Sequence, residues 1–347
     1  RGRSKGRRLR MKEALTYDDV LLVPQYSDIK SRKEVYLTSA LDESLVFKLP
    51  IISSPMDTVT ESEMAYTMDK LGGLGILHRY NSIEEQAGLA AEVISAGATN
   101  VGAAVGVSGD YFERAQTLVE NGVNVICIDV AHGHHVLMKD ALGVLKKSFG
   151  ESVHIMAGNV ATLEGINDLA KWGANSVRCN IGGGSICSTR IQTGHGLPGL
   201  QTIFDCAQTD RDVAIIADGG IRTAGDIVKA LAAGADFVML GSLLAGTDET
   251  PGDFIQLPTG QKKAYRGMAS KDAQMEWRGR YSSNEGVSTF IDYKGSVVEI
   301  LEDLRGGMLS GLSYSGCRTI TGLQTKAQWT RQTNAGLSES KTHILGK

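Results

Sequence analysis

Nowhere in the 347 residues is there a run of the roughly 20 apolar residues that a membrane helix requires. With 42% hydrophobic and 22% charged residues, the composition is that of a soluble globular chain with no membrane partner. Paired cysteines are missing too. The five thiols, at 127, 179, 187, 206 and 317, are odd in number, lack CxxC spacing and follow no signal-type apolar stretch. A disulfide framework and a zinc site are therefore disfavoured, and reduced thiols in a cytoplasm are expected. A strong charge of either sign is also absent. The net charge is −3, and six of the 36 cations sit in residues 1–10, RGRSKGRRLR, read as a disordered leader or expression remnant ahead of Met11. Without them 30 cations face 39 anions, a net of −9, which argues against nucleic-acid binding by the folded part. The run HGHH at 132–135 offers adjacent imidazoles without a spaced third ligand, so no metal centre is expected from it.

Glycine, by contrast, is abundant at 42 residues, many directly after short β-branched runs. Eight such runs recur: IISSPM (51–56), GLGILH (73–78), NVGAAVG (100–106), NVICIDV (124–130), HIMAGN (154–159), SVRCN (176–180), AIIADGG (214–220) and FVMLGS (237–242). Between them lie segments with apolar residues three and four apart, such as 62–72, 82–97, 110–122 and 223–235, most closed by Gly or Gly-Ala. Continuous apolar strands alternating with amphipathic helices mean a parallel sheet buried on both faces. Eight units predict a (β/α)₈ TIM barrel over 11–347, with a doubly wound open sheet as the alternative. A polar, irregular stretch at 247–294 after strand eight is too long for a plain connection and reads as a lid or flap. A helix at 296–312 follows, and the remaining tail reads as extended.

Polar residues and glycines collect at the C-terminal ends of these strands, the face on which barrels place their chemistry. In GGGSICSTR (182–190), Cys187 is the one thiol in a glycine-rich rim loop and is the candidate nucleophile. Cys127 and Cys179 fall inside strands and Cys206 on a helix, where a thiol is usually a small buried hydrophobe. Asp218-Gly219-Gly220 after strand seven and Gly241-Ser242 after strand eight read as phosphate grips, with Asp218 suited to ribose hydroxyls. Asp129 and Asn159 also end strands and are either helix N-caps or ligand contacts.

In chain order, ISSPMDTVTE, ILHRYNSIEEQ, DVAHGH, MAGNV, GGGSICSTR, IADGGIR, MLGSLLAGT, YRGM and AGLSES span nearly all of 11–347 and closely resemble the IMP dehydrogenase and GMP reductase family. The resemblance implies a (β/α)₈ barrel, usually a homotetramer, whose cysteine, here Cys187, attacks C2 of a purine nucleoside monophosphate. It implies that Ser185, Gly220, Gly241, Ser242 and Tyr265 hold the phosphate, Asp218 the ribose, and Ser54, Met56, Gly267, Met268 and Glu285 the base, with Thr189 near C2. Asp129, Asn159 and Arg178 match positions beside the nicotinamide of NAD or NADPH. Gly182, Gly184 and Cys187 match carbonyl ligands of a potassium ion, completed by a neighbouring subunit's Glu339, Ser340 and Lys341. The regulatory CBS pair common in the dehydrogenases is absent, because GLAAEVISAGATN (88–100) passes directly into VGAAVG of strand three. The family's Gly-Ile-Gly is Asn180-Ile181-Gly182 here, which crowds the exit of strand six.

Two reactions share this set. Arg280-Tyr281 matches a water-activating pair of the dehydrogenase, which oxidises IMP to XMP with NAD⁺, and SSPMD and AGLSES are also dehydrogenase-like. The short span from YRGM to Glu285 is instead reductase-like, with Thr189 and Glu285 handling ammonia lost from GMP and NADPH as reductant. The dehydrogenase is the expected activity, the reductase the alternative, and a catalytically silent nucleotide-binding regulator a minor third.

Overall fold

In the computed structural model, which describes residues 11–280, 284–342 and 344, eight parallel strands close into a barrel. They are β1 (Ile51–Ser53), β2 (Leu74–Leu77), β3 (Gly102–Val105), β4 (Val125–Asp129), β5 (His154–Val160), β6 (Ser176–Cys179), β7 (Ala214–Asp218) and β8 (Phe237–Leu240). Each pairs with the next in the chain, and β8 returns to β1 with Val238 beside Ile51. Seven fall inside the apolar runs that the sequence marks, and β5 extends one residue past its run, to Val160. Helices α1 (Ser62–Lys70), α2 (Ile83–Ser95), α3 (Tyr111–Glu120), α4 (Val136–Phe149), α5 (Leu163–Trp172), α6 (Gly199–Cys206) and α7 (Ala224–Ala233) follow the first seven strands. Six residues separate α2 from β3, so no CBS insertion is present.

Alternate residues of each strand explain why the runs are apolar throughout. Ile52, Ile76, Ala104, Cys127, Met156, Ile216 and Met239 pack together as one buried cluster, the barrel interior. Their neighbours Ile51, Leu77, Val105, Ile126, Ile155, Ala217 and Val238 belong to the second cluster, shared with the helices. The helices begin where side chains can satisfy their first amides: Ser82 accepts from Glu85 N–H, Thr162 from Gly165 N–H and Thr223 from Asp226 N–H.

The lower end of the barrel is closed by a hairpin, Ser39–Ala40 against Val46–Phe47, whose Phe47 ring meets Phe237 edge-on at 5.7 Å. A buried polar link fixes this plug. His154, at the start of β5, contacts Asp42 of the hairpin at 2.6 Å through Nδ1 and Ser176 of β6 at 2.7 Å through Nε2.

Between β8 and the helix that returns to the barrel, the stretch at 247–294 is more ordered than its polar composition suggests. It forms an antiparallel sheet of β9 (Ile255–Leu257), β10 (Gly260–Arg266) and β11 (Ser288–Asp292), with α8 (Lys271–Arg278) between the last two. Helix α9 (Val297–Tyr314) then packs on α7. The tail departs from the extended reading: α10 (Ile320–Lys326), a strand Trp329–Arg331 and α11 (Asn334–Glu339) follow. The strand pairs with Val20–Leu22, about three hundred residues away in the chain, a partnership that local periodicity does not carry.

The hydrogen bond from His154 holds the Asp42 carboxyl well below the ordinary carboxylate range. A carboxylate depressed on folding contributes stability that is complete above its unfolded value and is lost as pH falls through its folded one. His154→Ala is therefore expected to cost about 2 kcal/mol at neutral pH, because it removes the contact to Asp42 Oδ2 and leaves the buried Ser176 hydroxyl without its partner, while Ser44 and Leu45 still bond Asp42 Oδ1. It should also flatten the acid limb of stability below about pH 4. Urea unfolding across that range checks both; an unchanged acid limb would show that Asp42 gains nothing from the contact.

Candidate active site

The loops on the C-terminal side of the barrel enclose a cavity of about 220 Å³. Ser54 and Met56 enter it from the loop after β1, Ser185 and Cys187 from the loop after β6, Asp218 and Gly220 from the end of β7, and Gly241 and Ser242 from the end of β8. The flap supplies Tyr265, Gly267, Met268 and Glu285. The residues that the resemblance assigns to the phosphate, ribose and base thus meet at one place, with Thr189 lining the adjoining cavity.

The glycines are there because the walls approach closely. A Cβ on Gly241 would stand 3.1 Å from both Ser54 Oγ and Tyr265 Oη, and Gly220, at φ +73°, would press one to 2.9 Å from Gly183 O. Ser54 Oγ is buried without a partner. Burial pushes the Tyr265 phenol up to about 12, keeping it a neutral donor beside the Ser185 hydroxyl. These hydroxyls, with the backbone of the two glycine turns, make a neutral donor set suited to an anion.

Cys187 is linked to the flap by a short chain of polar contacts. Its thiol donates to Thr189 Oγ1 at 3.2 Å, and the Thr189 hydroxyl donates to Glu285 Oε2 at 2.9 Å. Backbone pairing holds this geometry: Ser188 N–H donates to Glu285 O at 2.9 Å, Val287 N–H to Ile186 O at 3.0 Å, and Cys187 bridges Gly286. The Ser188 hydroxyl donates to Asn284 O at 3.1 Å. Gly286 lies so close to the flap backbone that a Cβ would reach 2.9 Å from Ser270 N. Ser188 and Gly286 escaped sequence reasoning, because their role is a pairing between segments about a hundred residues apart.

A second cavity of about 250 Å³ adjoins the first and shares Cys187, Asp218 and Glu285 with it. Asp129, Asn159, Arg178 and Thr189 line it. Neither Asp129 nor Asn159 is a helix N-cap: His135 caps α4 and Thr162 caps α5. Arg178 is buried between two carboxylates, 2.6 Å from Asp129 and 2.9 Å from Asp218. Its charge is spent on its own chain, so it orients those carboxylates. Asn159 donates from Nδ2 to Asn180 O and to Asp218 Oδ2, which leaves its Oδ1 to accept. Asp218 Oδ2 also takes both Arg178 donors, leaving Oδ1 as the acceptor for a ligand. The side chain of Asn180 fills the space beside Gly183, Gly199 and Gly219, so the crowding at the exit of β6 is absorbed by glycines, and Nδ2 donates to Gly219 O at 3.3 Å. Arg79 and Tyr80 line the same cavity; they follow β2 in the rim motif HRY, the signal that could have found them.

Other expected residues are not brought together. Arg280 is exposed and lines neither cavity, and Tyr281 lies outside the described residues. Gly182 and Gly184 line the second cavity, but Glu339, Ser340 and Lys341 line neither; Ser340 Oγ donates to Gln332 Oε1 and Gly336 O of its own tail. Around HGHH, His135 accepts from Leu137 N–H as a cap and His134 meets Asp168 at 2.7 Å. Among the described residues, no group of three His, Cys, Asp or Glu could hold a metal ion, and no helix is long and apolar enough to cross a membrane.

Cys187 is half-buried at the cavity, whereas Cys127, Cys179, Cys206 and Cys317 are buried, and burial pushes Cys127 up to about 12. A thiol-reactive disulfide is therefore expected to label one cysteine per native chain quickly, and Cys187→Ala to abolish that fast phase. Equal labelling of a second thiol would undo the distinction. Arg178→Ala is expected to lower the unfolding free energy by about 2 kcal/mol, since it takes the shared cation from two half-buried carboxylates. Urea unfolding at neutral pH reads this; a loss within error would mean that solvent reaches both carboxylates.

Residues 14–343 match the profile of the IMP dehydrogenase / GMP reductase domain. The chain is 33% identical to an inosine-5'-monophosphate dehydrogenase of Nitrosopumilus maritimus over 472 aligned positions, covering 96% of this chain and 99% of that one. It is equally 33% identical to a GMP reductase of Leishmania major over 480 positions, covering 96% and 98%. Both alignments are longer than the chain itself, so these relatives carry segments that it lacks. A crystal structure of a Trypanosoma brucei GMP reductase variant in complex with guanosine 5'-monophosphate superposes with a TM-score of 0.91 at 32% identity, covering 96% of this chain and 98% of that one. The chain belongs to the IMP dehydrogenase / GMP reductase family and is an NAD(P)-dependent oxidoreductase of purine nucleotides.

Proposed function

We propose that the chain is a GMP reductase, converting GMP and NADPH to IMP, ammonia and NADP⁺. The observation that carries this reading is the contact of Thr189 with both the Cys187 thiol and the Glu285 carboxylate. Motif wording favours the dehydrogenase, but SSPMD and AGLSES concern how nucleotide and cation are held. What separates the two reactions is the group that handles the C2 substituent. Glu285 is docked on the cysteine loop. Only residues 280–283 join it and Asn284 to Gly279, which caps α8. A residue spans at most about 3.6 Å, so a flap that moved Arg280 into the second cavity would have to move with the segment that holds Glu285.

The chemistry of the chain's own groups follows from that relay. The thiol proton passes through Thr189 to Glu285, leaving a thiolate that adds to C2 of the purine. The same relay run backwards delivers a proton to the 2-amino group, which leaves as ammonia, while the Cys187–C2 bond remains. Reduced nicotinamide would supply a hydride to C2 when bound, and the Cys187 sulfur would then depart as the thiolate. The second cavity fits a nicotinamide in its donor set: Asn159 Oδ1 would accept from the carboxamide, and Asp129, fixed by Arg178, would face the riboside side. Ser185, Gly220, Gly241, Ser242 and Tyr265 would hold the phosphate, Asp218 the ribose, and Ser54, Met56, Gly267 and Met268 the base. A homotetramer belongs to the same reading, with potassium on the carbonyls of Gly182, Gly184 and Cys187 and on the neighbouring copy's tail. Its support is the resemblance and the oxygen donors that potassium prefers.

Purified protein given GMP and NADPH is expected to consume the reduced cofactor and release one ammonia per turnover. Thr189→Val and Glu285→Gln should each lower that rate by about a hundredfold, the range of a lost proton-transfer group, with GMP affinity little changed in Thr189→Val. A rise in reduced cofactor with IMP and NAD⁺, without GMP-dependent turnover, would reverse the assignment to the dehydrogenase and give Arg280-Tyr281 the water-activating role.

A further inference from the structure

At the phosphate end of the first cavity, Ser185, Ser242 and Tyr265 also line an adjoining open chamber of about 500 Å³. Three cations line that chamber: Arg222 from the loop after β7, Lys262 on β10, and Lys294 just after β11. Asp292 is the one carboxylate among the lining residues. It contacts Lys262 at 2.7 Å. Lys294 Nζ donates to the carbonyl of Ser242 at 2.5 Å and has no carboxylate partner among the described residues, and burial pushes its ammonium pKa down. Arg222 is 60% exposed and contacts Asp18 at 2.7 Å. A monophosphate held by the hydroxyl wall has nothing to place in this chamber.

We propose that the chamber receives the second phosphoryl group of a nucleoside 5'-diphosphate, so that guanosine diphosphate competes with the monophosphate for the active cavity. The inference rests on the reading of that cavity as a purine monophosphate site. The β-phosphate is bonded to the α-phosphate, so a diphosphate whose base and ribose sit as in the monophosphate must continue past Ser185, Ser242 and Tyr265. Lysine is a point-charge partner for phosphate, and a charge-assisted contact is about twice as strong as a neutral one. Of the three cations, Arg222 and Lys262 are paired with Asp18 and Asp292, and Lys294 has no carboxylate partner among the described residues, so a diphosphate would meet one uncompensated ammonium and two that can share their charge. The base still lies at Cys187, so the diphosphate occludes the reaction.

Calorimetric titration of the intact protein with GMP, GDP, and GMP plus inorganic phosphate tests this. The expected result is that GDP binds within about threefold of GMP, and that K262Q combined with K294Q weakens GDP about tenfold, the loss of one charge-assisted contact. GMP affinity should stay within about twofold, since neither lysine reaches past the hydroxyl wall. Competition of GDP with GMP in turnover gives a second readout. GDP bound a hundredfold more weakly than GMP, or equal loss of both ligands in the double variant, would overturn the inference while leaving the monophosphate reading intact. Inorganic phosphate binding the GMP complex as tightly as GDP binds the free protein would also overturn it, in favour of a free-anion site. If neither GMP nor IMP binds, the underlying reading falls and the inference with it.

Discussion

The arrangement at Cys187 depends on a short stretch of β-pairing between the loop after β6 and the end of the flap. Ile186 to Ser188 on one side and Asn284 to Val287 on the other exchange backbone hydrogen bonds, and Glu285 N–H is tied in turn to Ala269 O. Side-chain hydroxyls alone would leave Thr189 and Glu285 free to rotate apart. Backbone pairing fixes the carboxylate against the hydroxyl at 2.9 Å. The flap therefore serves as a wall of the site as well as a cover. Gly286 is the residue that this closeness demands, since any side chain there would meet the backbone at Ser270.

The barrel makes such pairing possible by presenting both segments on one rim. Its interior is filled by Met156, Ile216, Phe237 and their neighbours, so the strands are rigid supports, and variation is left to the loops at their C-terminal ends. Buried charge adds to that rigidity. Asp129, Arg178 and Asp218 come from three different strands, and their ion pairs join β4, β6 and β7 at the level where the two cavities meet. An arrangement of this kind is costly if one partner is lost and fixes geometry when all are present.

Much of the fold was legible because its signals are local. Eight apolar runs became eight strands, since a strand buried on both faces needs apolar residues at every position, as Ile51 and Ile52 illustrate. Cys187 stood out because it is the one cysteine in a glycine-rich rim loop, and the structure leaves it alone half-buried. What the sequence did not disclose depends on distant partners. The strand Trp329–Arg331 is polar and three residues long, and becomes a strand because Val20–Leu22 lies beside it. The flap sheet is similar, for β10 is held by β11 across an intervening helix. Asn180 read as an obstruction, yet its amide occupies room that Gly183 and Gly199 leave open.

The choice between two reactions turns on the same principle of distance along the chain. Arg280 and Glu285 lie five positions apart, so both cannot act independently at C2 of a purine. Whichever is anchored governs the other. Glu285 has a carbonyl bonded to Ser188, an amide bonded to Ala269 and a carboxylate bonded to Thr189. Arg280 is exposed next to the cap of α8, outside both cavities. A flap that enters a vacated cofactor site needs length on both sides of its water-activating pair. On the proposed reductase reading the short linker keeps the carboxylate in place, and a carboxylate relayed through a hydroxyl to a thiol is equipped to move a proton on and off a leaving amine.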